Sequence, residues 1–503
     1  MELVLVSRSG LTIKIQENMK KLAIFISIIF LSSCEDGIIN LSPLSELSTS
    51  NYYVSAVDFN NALIAAYDVL QEKNSIDFIM NEVRSDNGTE MKYQYEKDLD
   101  NFSVSATNEL ISKFWKVAYK GIFRTNILLE KIKDADFDNA KKDLIIGQAK
   151  FIRAYIYFDL VRYFGEVPLV TDVLKLSESY AVKRSPVDDV YLLIEKDLKD
   201  AALVLPSVYT GADIGRATKG AANAILAKVY LTQKKYAESK TLLEAVTGDT
   251  QAAYQLVTPF SNVFSVSNQN NKEIIFAIQY SNGTGDGNTF MNDFGPGTIG
   301  SDVSPGVGSE HNKPTVDLIR AFESGDTRKA ATLREYVVHP TTKDTVNTPY
   351  NRKFLANQLM NDSGLDWPII RFSDVILMYA EVLNELNDLP GAITQLNKIR
   401  ERAFGNQLHN FSAASVPTKE AFRIKVLNER RVELAFENHR WFDLIRTGSA
   451  LEFLQVENRL ADWKTGTIYI SLNISMQPYQ ALYPIPLDEI EISGGTLTQN
   501  EGY

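Results

Sequence analysis

A chain of 503 residues with 45% hydrophobic and 23% charged side chains has the composition of a folded globular protein, with material for a large core or for several domains. Its formal net charge of −11 argues against a nucleic-acid partner, because phosphate binding needs a basic stripe and the sequence has none. A single cysteine excludes an internal disulfide, so stability must come from burial.

The first eighteen residues carry little pattern. At Met19 the character changes: Lys20 and Lys21 precede an apolar run over 22–31, closed by Ser32, Ser33 and Cys34. This is the three-part layout of a secretory signal, and the apolar run is too short to span a bilayer. Residues 1–33 therefore read as a non-native leader plus a lipoprotein signal peptide. Leu31-Ser32-Ser33-Cys34 resembles a bacterial lipobox, in which cleavage before the cysteine leaves it N-terminal and open to lipidation. On that resemblance Cys34 is the lipid anchor, and more than one acyl chain would make attachment stable. No second long apolar run follows, which predicts a chain anchored to a membrane without crossing it. Residues 34–58, acidic and polar at first, read as anchor and extended tether.

Residues 59–247 read as an N-terminal helical part. Helices are predicted over 59–71 and 111–132, and between them a polar and aromatic stretch, 81–105, is a candidate binding loop. In 143–164, Ile145, Ala149, Ile152, Ile156, Leu160 and Phe164 follow one another at three or four residues, and Phe151, Tyr155 and Phe158 add a second apolar face. Such a helix is sandwiched between neighbours. Its partner is 186–203. Small residues Ala221, Ala222, Ala224 and Ala227 allow close approach between 218–232 and 236–246, whose Tyr236-Ala237-Glu238 start resembles a tetratricopeptide unit.

Residues 248–370 break the repeat. One strand is predicted over 273–280, followed by eight glycines between 281 and 310. A long insertion with Phe290, Phe294 and Trp367 reads as an ordered, irregular ligand face.

Helical pairing resumes over 371–450, with 374–386 against 390–403 and then 418–436 with a turn at Trp441. Leu427, Leu434 and Trp441 recur every seven residues, with Ile424 before and Ile445 after, and predict one apolar stripe along a helix. Arg431 lies on that stripe with no acid three or four residues away, so its counterion must come from another element, with Glu381 or Asp374 as the expected partner. Residues 451–503 read as an extended C-terminal segment. The fold predicted is mainly α: about four tetratricopeptide-like helix pairs stacked face to face, with the irregular insertion and a few short strands.

Catalytic motifs are sparse. Residues 295–300 fit G-x-G-x-x-G literally but lack the strand and βαβ context that gives the pattern meaning. His311, His339, His409 and His439 are scattered, so no metal site is expected. Paired carboxylates for glycoside hydrolysis remain open, since distance rather than spacing defines them.

Arg153-Ala154-Tyr155, Tyr163-Phe164-Gly165-Glu166-Val167-Pro168, Arg371-Phe372-Ser373-Asp374-Val375, Tyr379-Ala380-Glu381 and Asn397-Lys398-Ile399-Arg400 together resemble the RagB/SusD family. Residues 429–436, Arg440-Trp441-Phe442-Asp443-Leu444 and Tyr483-Pro484-Ile485-Pro486 extend the resemblance across nearly the whole mature chain. It implies a SusD-like α-superhelix and a cell-surface, outer-membrane lipoprotein that needs no cofactor. Glu35 and Asp36, directly after the anchor, resemble the short signal for the outer face. The resemblance further implies a non-catalytic protein that captures oligosaccharide, less often peptide, and covers a SusC-like TonB-dependent transporter. A surface glycoside hydrolase is the alternative from another class.

The shared motifs are scaffold, with Arg431, Trp441 and Glu381 as structural residues. Sugar rings stack their C–H faces on aromatic rings while polar side chains take the hydroxyls. Aromatic and polar residues on the predicted loops are therefore the binding candidates: Asp86, Asn87, Tyr93 and Tyr95, then Asp286, Asn288, Phe290 and Phe294, and Trp367.

Overall fold

The computed structural model describes residues 52–90, 92–297, 308–339, 341–355, 361–454, 460–461, 468–470 and 476–503. Cys34, Glu35 and Asp36, the signal and most of the tether lie outside the described residues.

Helix α1 (Ala56–Glu82) starts in a capping box: the Ser55 hydroxyl accepts from the Asp58 N–H, and the Asp58 carboxylate accepts from the Ser55 N–H. It runs well past the predicted 59–71. Its second half buries polar residues, with Lys73 held by Asp77 at 2.8 Å and Asp159 at 2.5 Å, and these mask the apolar period. The predicted loop 81–105 therefore begins inside a helix, at Asn81 and Glu82, and contains another short one, Gln94–Asp100.

Helix α2 (Glu109–Lys131) packs on α1, and α3 (Asn139–Phe164) packs on α1, α2 and α4 (Val187–Val204). Two apolar faces on α3 are buried as its sequence demands. Gly165 ends it at φ 70°, a left-handed turn that disfavours any side chain. Helix α5 (Lys219–Thr232) with α6 (Tyr236–Thr247), and α7 (Phe372–Glu385) with α8 (Leu389–Phe404), complete four stacked tetratricopeptide-like hairpins. Adjacent hairpins touch through α2–α3, α4–α5 and α6–α7. The first hairpin is α1 with α2. The fourth predicted pair is instead a single helix, α9 (Lys419–Glu433), laid on α7 and followed by the short α10 (Arg440–Thr447).

Ile376, Leu377 and Leu383 of α7 meet Leu396 and Ile399 of α8 and Phe422 and Val426 of α9 in one apolar cluster. Fully burying each such side chain contributes about 1.5–3 kcal/mol. The predicted single stripe is broken between α9 and α10, where Phe436 and Asn438 take positive φ of 66° and 62°. Leu427, Leu434 and Trp441 are buried on both sides of the corner, but Ile424 is exposed.

The insertion is stitched to the helices by short antiparallel pairs. Strand β1 (Ile274–Ile278) pairs with β4 (Trp367–Arg371), and β2 (Leu333–Val338) forms a hairpin with β3 (Thr345–Asn351). Gly88–Thr89 pairs with Lys313–Pro314. The C-terminal Tyr483 donates its N–H to the Tyr163 carbonyl and its hydroxyl to the Met80 carbonyl, both at 2.7 Å, so the proline-flanked tail lies against α1 and α3.

Buried ions join these parts. Arg371, at the end of β4, bonds Glu273, Glu433 and Glu437 at 2.5–2.7 Å. Arg431 is buried, and its acid does come from another element, but that acid is neither Glu381 nor Asp374. Glu381 is taken by Arg446 and Asp374 by Arg430 and Lys228. Arg431 instead reaches Asp86 at 3.2 Å and the Asn87 side-chain oxygen at 2.9 Å, while Arg440 forks onto both Asp86 oxygens at 2.7 and 2.8 Å. Sequence distance hid this pairing, because 345 positions separate Asp86 from Arg431.

Burial raises the Asp86 pKa, but Arg431 and Arg440 outweigh it and hold the carboxyl at about 2 against an ordinary 3.8. Burial beside Arg440 pushes Arg431 down, yet a guanidinium stays charged in a protein. Because the folded-state pKa of Asp86 is depressed, its stabilisation is present above about pH 4 and is lost as pH falls through about 2. Asp86→Asn leaves two buried cations uncompensated and should cost about 3–5 kcal/mol at pH 7 in urea unfolding. The gap from wild type should narrow as the pH falls below about 4, and an unchanged unfolding midpoint at pH 7 refutes this role.

Candidate functional site

The chain from α1 to α2 sinks before it surfaces. Val83 to Glu90 is buried throughout. Arg84 lies over the rings of Tyr483 at 4.3 Å and Trp441 at 4.6 Å, so the tail and the α10 tryptophan close over it. Asp100 then accepts from the Thr89 hydroxyl at 2.7 Å and the Glu90 N–H at 3.0 Å, tying off the loop so that only its tip projects. At that tip stand Lys92 and Tyr93, with Tyr93 capping the helix Gln94–Asp100.

The pairing of Gly88–Thr89 with Lys313–Pro314 brings residues 308–313 of the insertion beside this tip. His311 is aimed by its neighbours: Glu310 and Asn312 have φ of 63° and 52°, an unfavourable conformation for side-chain-bearing residues. The His311 N–H donates to the Asp293 carbonyl at 2.8 Å, and the Asn312 amide donates to the Phe78 carbonyl at 2.9 Å.

The outer layer of the site is an aromatic ring on a polar strip. Tyr93 is 44% exposed and its ring lies 5.0 Å from the His311 imidazole, centroid to centroid. Lys92 pairs with Glu310 at 3.1 Å, and Thr348 of β3 donates to Glu310 at 3.1 Å and accepts from Lys313 at 3.3 Å. Burial raises the Glu310 pKa, but Lys313 and Lys92 more than reverse it, so Glu310 stays an anion. Exposed Tyr336 stands on β2 of the adjoining hairpin. Such a strip offers a flat apolar face and, around it, both donors and acceptors.

Beneath Tyr93, His311 Nδ1 faces Glu96 at 2.8 Å and Glu90 at 3.1 Å. Burial pushes the imidazole pKa down, but the two glutamates push it up more strongly, to about 10. Glu96 is raised by burial and by Glu90, while Glu90 is lowered, because hydrogen bonds from its neighbours outweigh its burial. Among the described residues, Glu90, Glu96 and His311 form a group whose ligand atoms could hold a metal ion, all lying within 4.8 Å of one another.

The predicted site residues divide. Tyr93 lies at the site. Tyr95 is equally exposed, but its hydroxyl bonds Glu109 at the start of α2. Asp86 and Asn87 are buried and engage Arg431, which makes them scaffold instead of an exposed binding edge. Phe290, Phe294 and Trp367 are buried with Phe78 and Phe354, and Trp367 stacks on Phe354 at 4.2 Å. These rings pack edge-on, tilted and stacked against one another inside the core, so none is offered to a ligand. Asn288 is buried as well, its amide donating to the Leu365 carbonyl at 2.7 Å. Asp286 is exposed in the turn 281–286 and lines a separate hollow of about 570 Å³ with Tyr67, Arg124 and Tyr280.

Glu90, Lys92, Glu96, Glu310, His311, Lys313 and Thr348 escape sequence reading. The first three meet the insertion across more than 200 positions, Thr348 joins Glu310 and Lys313 across 38 and 35, and no spacing announces them. A charged cleft of about 530 Å³ between α9 and the helix Val316–Ala321 is less promising as a site. Its buried guanidiniums are satisfied internally, Arg328 by Asp326 and Glu429, and Arg400 by Glu323 and Glu429.

Comparison with known proteins fits this architecture. Residues 334–503 match the family described as the SusD family, and residues 42–231 match the one described as starch-binding associating with outer membrane. SusD-like protein P25 of Formosa agariphila is 28% identical, covering 94% of this chain and 97% of that protein. A laminarin binding SusD-like protein of known structure is 27% identical, with a TM-score of 0.75 over 90% of this chain and all of that one. A SusD-like protein from Bacteroides fragilis, 24% identical, superposes with a TM-score of 0.77 over 92% of this chain and all of that one. With the helical hairpins, the Trp441 corner and the closing tail all in place, this chain belongs to the SusD/RagB family.

Proposed function

We propose that this protein is a non-catalytic cell-surface lipoprotein that captures oligosaccharide on the Tyr93 face and delivers it, as a lid, to a SusC-like TonB-dependent transporter. The observation that carries the reading is the exposed Tyr93 ring set among Lys92, Glu310, Lys313 and Thr348. A ring face takes the C–H surface of a sugar, and the surrounding charges and hydroxyl take its OH groups. Support for a glycan over a peptide comes from the related laminarin binding SusD-like protein and from the starch-binding description of the family matched by residues 42–231. Laminarin is therefore the first ligand to test.

Binding is favoured over hydrolysis by the carboxylates nearest the ring. Glu90 and Glu96 lie close together, but both face one imidazole and are 1% and 9% exposed, leaving no opening for a sugar between them. Attachment through Cys34 accords with the absence, among the described residues, of a helix long and apolar enough to cross a membrane. It also accords with the outer-membrane association in the matched family's description.

On a polysaccharide panel the wild-type protein should retain a glycan, laminarin first, without releasing new reducing ends. Tyr93→Ala should weaken that retention about three- to tenfold in affinity electrophoresis, the equivalent of a lost stacking contact, with an unchanged unfolding midpoint. Trp367→Ala should instead destabilise the fold by about 3–5 kcal/mol. Full affinity in Tyr93→Ala would reject this face, and new reducing ends would replace the binding protein with an enzyme.

Cys34→Ala should move the protein from the membrane fraction to the soluble one. Retention in the membrane would rule out the lipid anchor.

A further inference from the structure

We propose that Glu90, Glu96 and His311 bind a divalent transition-metal cation of the zinc type directly beneath Tyr93. Three separate segments supply the ligands: the exit of the strand Gly88–Thr89, the first turn of the helix Gln94–Asp100, and the approach to the strand Lys313–Pro314. Their candidate ligand atoms, one imidazole nitrogen and two carboxylate oxygens, all lie within 4.8 Å of one another. The side chains are only 1%, 9% and 11% exposed, so the convergence is held by packing and is not a chance meeting on a solvated surface.

The local chemistry favours a cation. A single imidazole nitrogen faces both carboxyls, and the two carboxyls also hydrogen-bond each other, so a cation at their centre would take the place of the protons that now hold the three groups together. The nearest ammonium, Lys92, is engaged by Glu310. A divalent ion would neutralise both carboxylates and take the imidazole as a neutral ligand. Calcium and magnesium prefer oxygen alone, whereas an imidazole with carboxylates suits zinc and its transition-metal neighbours. In a tetrahedral zinc site, ligand atoms stand about 3.3 Å apart. The present 2.8 and 3.1 Å separations therefore need to open only slightly.

The backbone supports the same assignment. Left-handed residues on both sides of His311 and the bond from its N–H to Asp293 fix the ring toward the glutamates. Glu90 is fixed by the Lys92 N–H, which donates to its other oxygen at 2.6 Å. Tyr93 caps the helix that carries Glu96 and rests on His311, so the ion would clamp the exposed ring to the insertion. Only that last consequence rests on the glycan reading.

The test uses the mature protein, stripped with chelator and titrated with Zn²⁺ by calorimetry and with Co²⁺ by visible absorption. One equivalent of Zn²⁺ should bind and raise the melting temperature, and Co²⁺ should give the d–d bands of a site with nitrogen and oxygen ligands. Ca²⁺ should not displace either metal. Glu96→Gln and His311→Asn should each weaken Zn²⁺ at least tenfold, while His339→Ala should not. Absence of a stoichiometric Zn²⁺ event or of Co²⁺ bands in the wild-type protein overturns the proposal, as does wild-type affinity in both variants or displacement by Ca²⁺. Because no glycan enters the titration, its failure leaves the Tyr93 reading standing.

Discussion

The carboxylate of Asp86, held between Arg431 and Arg440, is the interaction on which the arrangement of the molecule depends. Two guanidiniums at the corner between α9 and α10 are buried, and a buried cation without an acid is strongly destabilising. The acid comes from the segment after α1, at the opposite end of the sequence. Meeting that electrostatic demand pins the chain over residues 83–90 into the interior, and among the described residues Lys92 is the next to be exposed. The exposed tip of the site is the residue of a constraint imposed elsewhere.

The insertion is held by the same logic on a smaller scale. Short antiparallel pairs satisfy its backbone, and Phe78, Phe290, Phe294, Phe354 and Trp367 fill the space behind it. Aromatic rings use the same apolar faces to stack on each other as they would to stack on a sugar. Composition alone therefore assigns an insertion aromatic to either role with equal ease, and burial decides. Here it moved three of the expected ligand contacts into the core and left Tyr93 outside.

The helical frame and the proposed ligand face are thus built from different parts of the chain. Helical hairpins stack through local apolar periodicity and give a rigid frame. The face combines one loop tip with residues 308–313 and the edge of a β-hairpin, parts whose chemistry can change without disturbing the helices. His311 sits where the two requirements meet, strained in its backbone neighbours and packed between scaffold and ring.

Local order was written in the chain. The periodicity of 143–164, the small residues of α5 and the positions of the three hairpins from α3 to α8 are visible in the sequence because helix faces repeat within seven residues. So was the need for Arg431 to find an acid outside its own helix. The second half of α1 was hidden, since its buried Lys73, Asp77 and Asn81 read as polar. The identity of the acid was equally hidden, and so was the meeting of Glu90, Glu96, His311 and Tyr93. Those features were decided by tertiary structure. Pairings across more than 200 residues leave no periodic trace, and long-range electrostatics and packing select them only once the hairpins have stacked.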